Sequence, residues 1–147
     1  MRLGASETNV ARLQTMEASA LDPTLEDLRA IARERFGIKR FRPGQAEVLE
    51  AVLRREDVLA VLPTGGGKSL TYQLPAIALP GTTVVVSPLI ALMQDQVEKL
   101  RALGVQVALV NSTLTGRELR DALRTIAEGE HKLAYVTPER LSDPEFR

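Results

Sequence analysis

Apolar side chains recur along this chain in two rhythms. From Pro23 onward, Leu25, Leu28, Ile31, Ala32 and Phe36 fall on one helical face, and Gly37 stands where such a helix would be capped. A second stripe, Val48, Leu49, Val52 and Leu53, follows the start signal Arg42-Pro43-Gly44 and runs into a polar turn over 54–57. Then the rhythm changes. Residues 58–62 form a short, unbroken apolar run that predicts a buried strand, 63–67 a glycine-rich turn, and 68–78 a helix in which Pro75 should produce a kink. The alternation continues with a strand over 82–86, a helix over 89–103 ended by Gly104 and a strand over 105–110. A helix over 114–128 closed by Gly129 and a strand over 132–136 complete it. Wholly apolar strands alternating with helices predict an α/β fold: a parallel sheet flanked by helices on both faces, with right-handed crossovers.

At 147 residues the chain has room for one domain. Residues 1–22 are rich in Ala, Ser and Thr with scattered charges and are expected to be a flexible tail, leaving 23–147 as the domain. Basic and acidic residues balance at 19 each, so composition neither points to nucleic acid nor excludes it. The lack of Cys excludes a disulfide framework, a Cys-ligated zinc and a thiol nucleophile. No apolar run has the length of a membrane span and the opening lacks a secretory core, so a soluble, cytoplasmic protein is expected, with no membrane partner.

The chemistry concentrates between the strand expected over 58–62 and the helix after it: Leu62-Pro63-Thr64-Gly65-Gly66-Gly67-Lys68-Ser69. Three glycines let successive backbone N–H groups turn inward onto a phosphate chain, and the following helix adds the positive end of its dipole. In that arrangement Lys68 reaches the terminal phosphates and the Ser69 hydroxyl reaches Mg2+. Leu62 occupies the first position of G-x-x-x-x-G-K-[ST], so the strict pattern is not met. Taken alone, the sequence is also compatible with a flexible turn beside a surface lysine. His131, the single histidine, has no partner pattern and is expected to be a solvated loop residue. Tyr72 and Gln73 are expected to serve helix packing, and the charged pairs over 117–124 a solvated helix face.

Four blocks in fixed order carry a resemblance: F-G-I-K-R-F-R-P-G-Q from Phe36, P-T-G-G-G-K-S-L-T-Y-Q from Pro63, V-V-V-S-P-L-I-A-L-M-Q-D-Q-V from Val84, and Y-V-T-P-E-R-L from Tyr135. In order and spacing, from about Leu25 to Leu141, the chain resembles RecQ-family ATP-dependent DNA helicases of superfamily 2, and in particular the front part of their first RecA-like motor domain. The resemblance implies ATP and Mg2+ as cofactors and single-stranded or partially duplex DNA as partner, with ATP-driven unwinding in the 3′ to 5′ direction, in recombination and repair. If the source is bacterial, it also implies association with the nucleoid. It implies that Gln45 reads the adenine edge, whose paired donor and acceptor an amide can match, and that Arg42 packs on the ring. Pro63, Thr64, Gly65, Gly66, Gly67, Lys68 and Ser69 would hold the phosphates. Ile38 stands where the family usually carries an aromatic residue, so the second wall of an adenine slot should be aliphatic.

For DNA, the resemblance implies backbone-phosphate contacts from Ser87, Pro88 and Gln94, then from Thr137 and Arg140, with Asn111 in the same track. Contacts of this kind need no net positive charge. Hydrolysis in this class also uses an acidic pair and arginines from a second domain. The D-E-A-H block that carries the acids is expected beyond Arg147, so the 147-residue chain by itself is expected to bind without turnover. Two other readings remain open on the residues: a nucleotide- or DNA-binding module that acts without catalysis, and another phosphate-loop enzyme such as a small kinase.

Overall fold

The computed structural model describes residues 22–144 and 146; the tail expected over 1–22 lies almost wholly outside them. Helix α1 (Leu25–Phe36) starts at Thr24, whose hydroxyl accepts from the Asp27 N–H while the Asp27 carboxylate accepts from the Thr24 N–H, a reciprocal cap on two otherwise unpaired donors. It ends at Gly37 in the left-handed conformation. Helix α2 (Gln45–Leu53) and helix α3 (Leu70–Ala78) pack against α1 through Leu28, Ala32, Leu49, Leu70 and Leu74, all buried. Helix α3 continues through Pro75.

Strands β1 (Thr83–Val86), β2 (Val107–Val110) and β3 (Leu133–Val136) form one parallel sheet in the order β1-β3-β2. Helix α4 (Ile90–Ala102) links β1 to β2, α5 (Gly116–Ala127) links β2 to β3, and the short α6 (Pro138–Leu141) follows β3. Alternation along each strand divides the core. Val107, Leu133 and Tyr135 face Ala76 of α3 and Met93, Val97 and Leu100 of α4. Ala108, Val110, Ala134 and Val136 face Leu119 of α5. The α/β architecture therefore forms as the apolar pattern requires, three layers around a central β3 that is buried throughout.

Two features depart from expectation. The apolar run over 58–62 forms no strand: it finds no ladder partner, and Leu59 and Val61 are 92 % and 87 % exposed. Apolar composition gives a segment the means to be a buried strand, but a strand exists only where a neighbour accepts its N–H and C=O groups. The sheet is also not covered on both faces along its whole width. Val84 and Val86 of the edge strand β1 remain about half exposed, on the face that α5 covers only at β2 and β3.

Candidate functional site

The segment from Pro63 to Ser69 links the exposed run to α3. Its first turn is closed by the Gly66 N–H donating to the Pro63 carbonyl at 2.9 Å. A Cβ on Gly66 would stand 2.8 Å from that same carbonyl. Gly67 adopts φ 76°, and a Cβ there would fall 2.3 Å from Gln45 Nε2. Glycine is thus required at these two positions for different reasons, one a contact within the loop and the other the approach of a side chain from α2. The result is a curled backbone in which the N–H groups of Gly65, Gly67, Lys68 and Ser69 donate to nothing among the described residues. Four unspent donors beside the start of α3 form an anion cradle. The Lys68 ammonium lies over the same loop, donating to the Pro63 carbonyl at 3.2 Å, and Ser69 is half-buried at the helix start.

Gln45 sits behind the loop. Only 2 % exposed, it accepts from the Arg42 N–H at 2.7 Å and donates to the Gly67 carbonyl at 2.9 Å. The Arg42 guanidinium donates to the Gly65 carbonyl. Both residues therefore brace the loop, and either would have to exchange these bonds to touch a base. A cavity of about 270 Å3 opens beside them, lined by Ile38, Arg40, Arg42, Gln45, Gly67 and Leu70, close to the ~300 Å3 lower end of small-molecule sites. Ile38 supplies an aliphatic wall, as the sequence indicated. Arg40 lines the cavity without having been singled out. Its only signal was a cationic pair, Lys39-Arg40, between one helix end and the next helix start. Pro63 and Thr64 are exposed on the outer turn.

The second group of expected contacts gathers at one end of the sheet. Register aligns Val86, Val136 and Val110 in one row, so Ser87, Thr137 and Asn111 follow side by side where the strands run out. Their accessibility differs. Ser87 is half-buried, its hydroxyl accepting from the Leu89 N–H at 3.2 Å, and Pro88 and Gln94 are exposed. Asn111 and Thr137 are each 2 % exposed. The Asn111 amide oxygen accepts from the Thr113 N–H and hydroxyl, whereas the Thr137 hydroxyl is buried with no partner. Arg140 spends its guanidinium on the Asn111 and Leu114 carbonyls and on Asp143. In this conformation Ser87, Pro88 and Gln94 present a surface, while Asn111, Thr137 and Arg140 form the layer beneath it.

Residues set aside in the sequence prove more tightly bound than expected. His131 is not solvated: it is half-buried, its Nε2 pairs with the Thr125 hydroxyl at 3.0 Å, and its Nδ1 is buried without a partner. Tyr72 and Gln73 do serve packing, within a buried polar network that includes Tyr135. Burial, then the hydrogen bond with Tyr72, hold the Tyr135 phenol well above its ordinary range. The residues 117, 118, 120, 121 and 124 are exposed, as a solvated face requires.

Among the described residues no three His, Asp or Glu side chains converge on a metal position, and no helix is long and apolar enough to cross a membrane. Comparison with known proteins agrees with the loop and its surroundings. Residues 42–146 match the DEAD/DEAH box helicase family. The chain is similar to an ATP-dependent DNA helicase RecQ of Bacillus subtilis, 47 % identical over 112 residues, or 76 % of this chain and 19 % of that one. It is similar, too, to the RecQ helicase of Haemophilus influenzae, 42 % identical over 117 residues, covering 80 % of this chain and 19 % of the relative. With the RecQ helicase of Synechocystis, identity is 44 % over 120 residues, covering 81 % and 25 %. The chain spans about a fifth to a quarter of the length of these relatives. The matched region holds the cradle, the cavity beside it and the three strand ends, and on that match the chain belongs to the DEAD/DEAH box helicase family.

Proposed function

We propose that this chain is the nucleotide-gripping and single-strand-contacting part of a RecQ-like ATP-dependent DNA helicase that unwinds DNA in the 3′ to 5′ direction. The observation that carries the proposal is the pairing of four unspent loop N–H groups with a cavity lined by Ile38, Arg42, Gln45 and Gly67. The cradle fits a phosphate chain and the cavity fits a base. Lys68 neutralises phosphate charge, which builds on the leaving oxygen during transfer. Pro63, Thr64, Gly65, Gly66 and Gly67 shape the loop. Gln45 exchanges its internal partners for the adenine edge, and Arg42 packs across the ring. Mg2+ arrives with the phosphates and takes the Ser69 hydroxyl as its protein ligand. Single-stranded DNA runs along the end of the sheet, touching Ser87, Pro88 and Gln94 first, with Asn111, Thr137 and Arg140 behind them.

Within these 147 residues the chain binds ATP without turning it over, because hydrolysis in this class uses an acidic pair beside the metal and the loop from Pro63 to Ser69 carries no Asp or Glu. Its setting is the cytoplasm, or the nucleoid of a bacterium, in recombination and repair. Calorimetric titration tests the proposal. ATP with Mg2+ should bind the wild-type chain and fail to bind Lys68→Ala, and Gln45→Ala should weaken ATP more than GTP. Equal losses of ATP and GTP with Gln45→Ala would remove that residue from the base site. ATP hydrolysis abolished by Lys68→Ala would overturn the claim of binding without turnover.

A further inference from the structure

Gln73 lies where three elements with separate assignments meet. It belongs to α3, which begins directly after Lys68 and Ser69. Its Nε2 donates to Gln96 Oε1 at 2.7 Å, on the helix that follows Ser87. The same nitrogen donates to the Tyr135 hydroxyl at 3.3 Å, on the strand that ends at Thr137. Tyr135 in turn stands 3.4 Å, oxygen to oxygen, from Tyr72 of α3, with the two rings edge to face. Among the described residues, Gln73 to Gln96 is the only side-chain hydrogen bond between α3 and α4.

A buried amide is an unexpected choice here. Gln73 is 5 % exposed, bonded to Tyr135 of the apolar core and lining one cleft with Leu100, where a methionine of the same length would pack without desolvating a polar group. Burying an amide costs about as much as its hydrogen bonds return, so such a group fixes geometry more than it adds stability. The pair also has unused capacity: Gln73 Oε1 and Gln96 Nε2 have no partner among the described residues. An open cleft of about 370 Å3 lined by Phe36, Gln73, Gln96 and Leu100 borders both amides. The Gln73 amide therefore ties α3 to α4 through Gln96 and to β3 through Tyr135 with a single nitrogen, so a displacement of any one of these elements is felt by the other two.

We propose that Gln73 is a positioning residue whose hydrogen bond to Gln96 couples the phosphate loop's hold on nucleotide to the hold of the β1 and β3 ends on single-stranded DNA. The proposal rests on the nucleotide and DNA contacts put forward above. The test is the change in affinity for a non-hydrolysable ATP analogue with Mg2+ when oligothymidylate is added at saturation, measured by calorimetry on the 147-residue chain. Wild type should show a change of at least about fivefold, the low end of typical coupling. In Gln73→Met and in Gln96→Met the factor should fall to about one, while each ligand's separate affinity stays within about twofold and circular dichroism is unchanged. The double variant should lose no more than either single one, because both act through one bond. Gln96 is only half-buried, and its substitution leaves the bond from Gln73 to Tyr135 in place, so Gln96→Met decides the question if Gln73→Met does not fold. A wild-type chain that binds both ligands without coupling, or variants that keep the full factor, would overturn the coupling and leave the proposed function standing. A wild-type chain that binds neither ligand would overturn both.

Discussion

Replacing Gly67 by alanine probes the point where the phosphate loop and Gln45 meet, and two penalties combine there. At φ 76° an alanine occupies the left-handed region, which costs about 1 kcal/mol. Its Cβ would lie 2.3 Å from Gln45 Nε2. The amide is 2 % exposed and bonded on both sides, so it yields by leaving the Gly67 carbonyl, and a buried N–H without an acceptor costs about 2 kcal/mol. Together these amount to about 3 kcal/mol, on the order of a hundredfold in an equilibrium constant. If the loop keeps its shape, the penalty appears in thermal unfolding as a fall of about 10 °C; if the loop relaxes, it appears as weaker binding of ATP. Gly65→Ala is the control. Its φ of 74° carries the same backbone cost, but no atom lies within 4 Å of the added carbon, so about 1 kcal/mol is expected, on the order of fivefold. Differential scanning calorimetry and ATP titration on both variants read the two routes. Equal total losses for the two alanines would refute the steric role assigned to Gln45.

Three other outcomes follow from particular contacts. Thr137→Val removes a buried hydroxyl that has no partner, so urea unfolding should show the variant as stable as wild type or about 1 kcal/mol more stable; a clear loss would mean that the hydroxyl is bonded in solution. The carboxyls of Asp27 and Glu118 are held below their ordinary range, first by the backbone N–H and then by the hydroxyl of Thr24 and Thr115 respectively. Their contribution is therefore present above the unfolded carboxylate range and lost as pH falls through the lower folded values, so the acid limb of a stability–pH profile should flatten in Asp27→Asn with Glu118→Gln, and an unchanged limb would contradict the caps. Leu59→Lys with Val61→Lys alters side chains that are almost fully exposed and should change stability by less than about 0.5 kcal/mol while reducing self-association on size exclusion. A large drop in melting temperature would instead show that the segment is paired.

The helices and the three paired strands were legible because their signals are local. Gly37, Gly104 and Gly129 adopt the left-handed conformation where the apolar stripes stop; the caps of Thr24 with Asp27 and Thr115 with Glu118 are equally local but were not among the sequence expectations. The glycine-rich loop was legible for the same reason: its glycines, Lys68 and Ser69 are contiguous. The bracing of that loop was not, since the bond from Gln45 to Gly67 joins positions 22 apart and nothing in either sequence neighbourhood specifies it. The layering at the sheet's end was hidden in the same way. Ser87, Asn111 and Thr137 all follow apolar strands, yet Ser87 at one edge of the sheet is half-buried while Asn111 at the other edge and Thr137 at the centre are each 2 % exposed.

The run over 58–62 shows how far composition reaches. Its residues are as apolar as those of β1, and both sequences predict a buried strand, yet only Thr83–Val86 finds a parallel partner in β3. That single pairing satisfies one edge of β1 and leaves its other edge unpaired among the described residues, while Val84 and Val86 stay about half exposed on one face. The 58–62 run has no paired edge at all. Backbone groups on an unpaired edge are met by water at little cost, so the segment forms no ladder, and Leu59 and Val61 gain little from burial. The glycine-rich loop is braced under these conditions by Gln45 of α2 and Arg42 of the turn before it, through carbonyls that no strand pairing is needed to present. The loop's shape is therefore held from the helical side of the domain. Substitutions in 58–62 should alter association while leaving the loop intact, and substitutions at Gln45 or Gly67 should do the reverse.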